Sequence, residues 1–155
     1  MKKIIVTIIV TGSVGTGKTT IAKKIAKDKN YIYVDVNALI KKNKLYESYD
    51  KILKSHIVNI KRLNKFLISL IKNSEKSLVI DSHLSHYLPS KYVDLCVVTK
   101  CDIKELKKRL EKRKYSKEKI RENLDAEILD VCLIESLKNK HKVKVIDTSK
   151  KSLNN

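Results

Sequence analysis

Glycine is almost absent from this sequence: 155 residues hold three, Gly12, Gly15 and Gly17, all within six positions. Proline occurs once, as Pro89. With so few turn and linker residues there is no interdomain linker, low-complexity tract or internal repeat, and the chain reads as one domain with one core. The three cysteines, Cys96, Cys101 and Cys132, form no CxxC pair and are odd in number, which argues against a disulfide framework or a cysteine-rich zinc site. Cys96 and Cys132 read as small core residues in a reducing compartment. No stretch approaches the roughly 18 apolar residues of a membrane span. The apolar run behind Lys2 and Lys3 lasts only about eight residues and has no small-residue cleavage site after it, which argues against a secretory signal. A soluble cytoplasmic protein is the expectation. Acidic residues are scarce too, with 17 Asp and Glu against 35 Lys and Arg and a net charge of +18. Such a charge draws phosphate-rich partners, RNA included. Lysine-loaded surfaces also arise without any nucleic-acid partner, and only four of the basic residues are arginines, the better base readers.

The glycines stand together for a reason. Gly12, Gly17, Lys18 and Thr19 in "TGSVGTGKTT" fit GxxxxGK[ST], the loop whose backbone N–H groups cradle phosphates while the lysine reaches the β and γ positions and the hydroxyl meets magnesium. Residues 3–10 form an apolar, β-branched run suited to a parallel strand buried on both faces. Thr19 to Lys27 continues as a helix with Ile21, Ala22, Ile25 and Ala26 turned inward.

Further strands are expected at 31–36 ending near Asp35, from Ser77 to Asp81, at 94–100, and at 142–147. Between them lie a weak helix before a loop around Tyr46 to Asp50, and a helix over 60–72. A helix capped by Asp102 follows, with Glu105 three residues on and Leu106 and Leu110 as its core stripe. Ser116 caps another, with Ile120, Leu124, Ile128 and Val131 at helical spacing. Strands alternating with helices imply right-handed crossovers and a five-stranded parallel sheet with helices on both faces, a P-loop α/β fold with its ligand at the carboxyl edge. Gly12, Asp35, Asp81 and Lys100 all fall at that edge.

Phosphoryl transfer needs positioned phosphates, magnesium and cations around the transferring group. Lys18 and Thr19 supply the loop side, and Asp81, closing an apolar strand, is the candidate carboxylate for orienting magnesium with Thr19. In "DSHLSH", His83 is expected to face the phosphates and to position water or the magnesium shell; His86 reads as a loop histidine. From Lys100 to Arg121 there are eleven basic residues against four acidic ones, and Arg109 and Arg113 share a helix face beside a flap, "KRKYSKEK", suited to closing over phosphates.

"TGSVGTGKTT", "LYESYD", "DSHLSHYLP" and "RLEKRKYSKEKIRENLDAEI" together resemble the adenylate kinase isoenzyme 6 family, which includes small archaeal adenylate-kinase-like proteins. The resemblance implies a nucleoside monophosphate kinase fold with a monophosphate-binding insert over about residues 35–59 and a lid over about 112–122. It implies ATP held by Gly15, Thr16, Gly17, Lys18, Thr19 and Thr20, by Arg109 and Arg113, and by Lys150. Lys18, Asp81, His83 and Arg113 would serve catalysis, and Thr19 and Asp81 magnesium. The implied reaction is ATP plus AMP to two ADP, with ATP hydrolysis beside it. The implied partners are small-subunit ribosomal protein eleven and pre-ribosomal RNA in ribosome maturation, with no membrane. Two alternatives stand: an ATP-hydrolysing ribosome assembly factor whose kinase activity is incidental, or a P-loop kinase for another small acceptor. Lys41 and Lys100 replace arginines common in relatives, and Lys114 replaces a lid glycine, which stiffens its hinge.

Overall fold

The computed structural model describes residues 4–149. Its elements in chain order are β1 (Thr7–Thr11), α1 (Lys18–Lys29), β2 (Ile32–Asp35), α2 (Val36–Asn43), β3 (Tyr46–Asp50), β4 (Ser55–Val58), α3 (Ile60–Asn73), β5 (Leu78–Asp81), β6 (Leu95–Lys100), α4 (Ile103–Lys112), α5 (Lys117–Ile128), α6 (Val131–Lys138) and β7 (Val143–Asp147). Two short 3-10 turns, at Ser85–Tyr87 and Ser90–Tyr92, carry the chain from β5 to β6.

The expected five-stranded parallel sheet is present, in the order β2-β5-β1-β6-β7. All five residues of β1 are buried, as a central parallel strand covered on both faces must be. The opening apolar run is longer than the strand: Ile4 is 85% exposed and lies outside the sheet. Alternation along the strands divides the core in two. Ile8, Val10, Val79 and Val97 meet Ile21, Ala22 and Ala26 of α1 on one face. Ile9, Ile80, Cys96 and Val98 meet Leu63 and Leu67 of α3 and Val36 and Ile40 of α2 on the other.

Local signals place the caps well. Asp102 Oδ2 accepts from Glu105 N at 3.3 Å, and Ser116 Oγ accepts from Lys119 N at 3.2 Å. Three expectations are corrected. The loop around Tyr46 to Asp50 is a strand, pairing antiparallel with β4, where the His56 ring lies 4.2 Å from that of Tyr46 and 5.3 Å from that of Tyr49. Cross-strand aromatic contacts hold it in place of an apolar stripe. The helix starting at Ser116 does not run through Val131: Asp130 sits at φ 51, so α5 ends and α6 begins, and Ile128 is 59% exposed. Cys132 is half-buried on a cleft wall, whereas Cys96 is a core residue as expected.

Where helices end, and in the turn of the β3–β4 hairpin at Lys54, the chain turns left-handed without glycine. Asn30, Lys44, Lys54, Lys114, Asp130 and Lys140 all have φ between 49 and 63. Lys114, expected to stand for a glycine, occupies the conformation a glycine would favour. Lys140, at φ 63, turns α6 into β7 while its N–H bonds Leu137 O at 3.0 Å. An L residue there costs about 1 kcal/mol, offset in part by glycine's larger entropy loss on folding. Lys140→Gly is therefore expected to raise the urea midpoint at unchanged m, by a net gain of about 0.5 kcal/mol. A lower midpoint would show that the side chain contributes more than its backbone strain costs.

Candidate active site

The loop after β1 is built so that its backbone faces outward. A Cβ on Gly12 would stand 2.3 Å from Thr99 Oγ1 and 2.7 Å from Thr99 O, so no side chain fits between β1 and β6 here. From below, Thr16 Oγ1 donates to Ser13 O at 2.6 Å and pairs with Thr99 Oγ1 at 2.7 Å, and Thr148 Oγ1 donates to Thr16 O at 2.5 Å. Gly17 then caps α1 with no side chain, and the first turn of α1 carries no acid. Its free amides and helix dipole present an anion site.

These amides open on a cleft of about 740 Å³, bounded by the loop, α2, the β3–β4 hairpin, the segment after β5, and α5 with the start of α6. Asp81 pairs in register with Val10 on one side and Asp35 on the other, which fixes it at the sheet edge. It is 7% exposed, and both Thr19 Oγ1 and Tyr33 Oη donate to its Oδ2 at 2.7 Å. Lys18 Nζ donates to Ser13 O at 3.1 Å. Burial lowers the Lys18 pKa to about 8, with Asp81 opposing and Arg113 adding to the shift. Burial, then the Lys18 charge, lowers His83 to about 4, so its imidazole is neutral at pH 7.

The cleft gathers Gly15, Gly17, Lys18, Thr19, Thr20, Asp81, His83 and Arg113. Arg113 caps the end of α4 and reaches Tyr115 Oη at 3.5 Å. Thr16 is buried beneath the loop. Arg109 stands behind it: its guanidinium donates to Gly15 O at 3.3 Å, Thr148 O at 2.5 Å, Thr148 Oγ1 at 3.1 Å and Glu105 Oε1 at 3.3 Å. Four of the five N–H donors of Arg109 are thereby committed to protein oxygens, and it does not line the cleft. Lys150 lies outside the described residues.

Lys41 lines the cleft, but Lys100 does not. The Lys100 ammonium pairs with Asp130 and, at 3.1 Å, with Glu127 Oε1. Glu127 is 5% exposed; its other oxygen accepts from Cys101 N at 2.7 Å, and Ser13 Oγ approaches Oε1 at 3.4 Å. One buried carboxylate thus joins α5, the end of β6 and the phosphate loop. A signal for it existed: Ile120, Leu124 and Glu127 follow the i, i+4, i+7 spacing of an inward stripe. His86 also departs from the loop-histidine expectation. It is 2% exposed, with Nδ1 2.7 Å from Thr11 Oγ1 and Nε2 2.6 Å from Glu135 Oε2. Sequence reading missed Tyr33 and Glu135 as well, since each meets its partner only through the tertiary fold.

A domain family described as an AAA domain matches residues 8–130. The chain is 40% identical to a protein of Methanocaldococcus jannaschii named "Putative adenylate kinase", over 96% of this chain and 80% of that one. It is 34% identical to an adenylate kinase isoenzyme 6 homolog of Dictyostelium discoideum, over 90% of this chain and 78% of that one. Among solved structures, a shikimate kinase from Acinetobacter baumannii superposes with a TM-score of 0.65 at 13% identity, over 96% of this chain and 86% of that chain, a likeness of fold.

Two measurements test the site. Nucleoside triphosphate affinity is expected to fall as pH rises through about 8, where the unliganded protein loses the Lys18 proton that the phosphates need. The fall should approach about tenfold per pH unit in a fluorescence titration, and Lys18→Ala should flatten it. Glu127→Leu, which takes the acceptor from the buried Cys101 amide and leaves Lys100 with Asp130 as its one carboxylate, is expected to cost roughly 2 kcal/mol in urea unfolding. Asp130→Ala removes a 44%-exposed partner and should cost under about 1 kcal/mol.

Proposed function

Since the chain belongs to the adenylate kinase isoenzyme 6 family, we propose that it is a Mg-ATP-dependent adenylate kinase, converting ATP and AMP to two ADP, with ATP hydrolysis as a side reaction. The observation that carries this reading is the convergence of Lys18, the Thr19–Asp81 pair and Arg113 on one cleft whose other side is formed by α2 and the β3–β4 hairpin.

The division of labour follows from the side chains. The α1 amides and Lys18 hold the ATP phosphates, and Arg113 adds a forked cation where charge spreads during transfer. Arg109, bonded to Gly15 O and Thr148 O, holds the loop in shape from behind. Thr19 and Asp81 present hard oxygen donors at one point, a set that suits magnesium, and these two residues would hold it. When bound, that ion neutralises phosphate charge. Tyr33 keeps the Asp81 carboxylate oriented; burial, then that carboxylate, raises its own pKa, so the hydroxyl stays a donor. His83, neutral, serves as a hydrogen-bonding group for water or acceptor and not as a cation. Residues of about 35–59 form the acceptor insert, with Lys41 and Lys54 as point charges for the acceptor phosphate, and about 112–122 form a lid that shuts out water. Ser116 Oγ already meets Ile52 O at 3.3 Å, linking these two segments.

The net charge of +18 favours a second role for the same protein. In it, a ribosomal partner, small-subunit protein eleven with pre-ribosomal RNA, stimulates ATP turnover, and phosphate release matters more than AMP phosphorylation.

Phosphorus NMR of Mg-ATP with each nucleoside monophosphate separates the two, with Lys18→Ala as the control. Two ADP formed per ATP consumed, with AMP alone speeding turnover, is the expected result. Free phosphate accumulating regardless of AMP would replace the kinase with an ATPase.

A further inference from the structure

The cleft is lined by six lysines and arginines against four carboxylates, and one of the four has no part in phosphoryl transfer. Glu135, on α6, lines it beside His83, Tyr87 and Cys132, with one third of its side chain exposed (33%). Repelling phosphate, a carboxylate here attracts hydrogen-bond donors.

Its anchorage is unusually well defined. Burial outweighs the pull of Glu135 and keeps the His86 pKa below its ordinary value, so the ring is neutral and carries one proton. Burial alone would raise the Glu135 carboxyl, but hydrogen bonds from Tyr87 and His86 outweigh it and hold the group below its ordinary range. A carboxylate cannot donate, so the His86 proton sits on Nε2 and points at Glu135 Oε2 at 2.6 Å; Nδ1 must then accept from Thr11 Oγ1 at 2.7 Å. The carbonyl of His86 accepts from Asn139 Nδ2 at 2.8 Å and lies 3.0 Å from His141 Nε2. The last residue of β1 thereby sets the orientation of a cleft carboxylate on α6. Mere bracing of α6 against the sheet would not require that the carboxylate stay open to the cleft.

Other parts of the cleft suit a nucleoside. Ile40, Leu53, Val58, Leu84 and Tyr87 give it apolar and aromatic surface. We infer that Glu135 selects the acceptor: its carboxylate, set by His86 and Thr11, accepts a hydrogen bond from an N–H or O–H donor on the nucleoside part of the monophosphate. The inference rests on the adenylate kinase reading. The donor has two sources, the exocyclic amine of the base and the hydroxyls of the ribose. Lysines hold the phosphate of any nucleoside monophosphate alike, so discrimination among them needs a group that reads the nucleoside, the part Glu135 is placed to play.

Steady-state kinetics with AMP, inosine monophosphate and 2'-deoxyadenosine monophosphate test it in wild type, Glu135→Gln and Glu135→Asp. Glutamine can still accept the His86 proton but loses the charge. The KM for AMP in Glu135→Gln should rise about tenfold, with the KM for ATP moving less than about twofold, as loss of a charge-assisted hydrogen bond to the acceptor alone requires. Wild type should prefer AMP to the analogue lacking the contacted donor, inosine monophosphate if the amine is read and the deoxynucleotide if the ribose is, and that preference should collapse in Glu135→Gln. Glu135→Asp, retaining the charge, should recover part of it and decides the matter if the glutamine variant does not fold. An unchanged KM for AMP with a lowered Tm would make Glu135 a structural brace and overturn the inference. A wild type that phosphorylates no monophosphate would overturn the kinase reading first, and this inference with it.

Discussion

Everything in this molecule hangs on the pairing of β1, parallel on both sides, with β5 and β6. Parallel neighbours cannot be joined by a tight hairpin, so each strand must be left by a crossover and every strand ends at the same edge. Register then does the rest. Val10 opposite Asp81 and Thr11 opposite Val98 bring the phosphate loop, the buried carboxylate and the end of β6 side by side. Because the edge is set by backbone hydrogen bonds, the functional side chains need little strain to meet.

The charge of the chain makes its carboxylates informative. Against a net +18, an acid buried inside is costly unless hydrogen-bonded; among the described residues the two buried ones are, and so is the partly exposed Glu135. Asp81 receives two hydroxyls, Glu127 a backbone amide and an ammonium, and Glu135 an imidazole. They sit on different elements, at the end of β5, the end of α5 and the middle of α6, and all lie around the phosphate loop or its cleft. Glu127 also explains why Lys100, at a strand end where a phosphate contact was expected, is turned away: a nearly dry carboxylate competes for it at all times, and a ligand only when bound.

Much of this was legible from residues close in sequence. The glycines, Lys18 and Thr19 announce the loop, Asp102 and Ser116 announce their helices through contacts three residues away, and apolar runs mark the strands. What escaped is nonlocal. The hairpin depends on Tyr46 and Tyr49 meeting His56, which no alternation in a polar segment reveals. Lys100 meets Glu127 across 27 residues and His86 meets Glu135 across 49, so neither pair leaves a pattern in a window of the sequence. The break before α6 is written only in the backbone of Asp130, a residue that tolerates left-handed turns and is otherwise an unremarkable surface acid.

The left-handed turns built without glycine act as an internal control for the loop that keeps it. Asn, Asp and Lys accept φ values up to 63, inside the basin open to L residues at modest cost. The loop glycines stand at φ 88, 88 and 150, beyond that basin. A few tens of degrees of rotation thus separate replaceable from irreplaceable. For a designer, the smallest glycine complement with which this chain can be written is set by its phosphate loop alone, and its helix ends are free to drift with whatever composition the genome imposes.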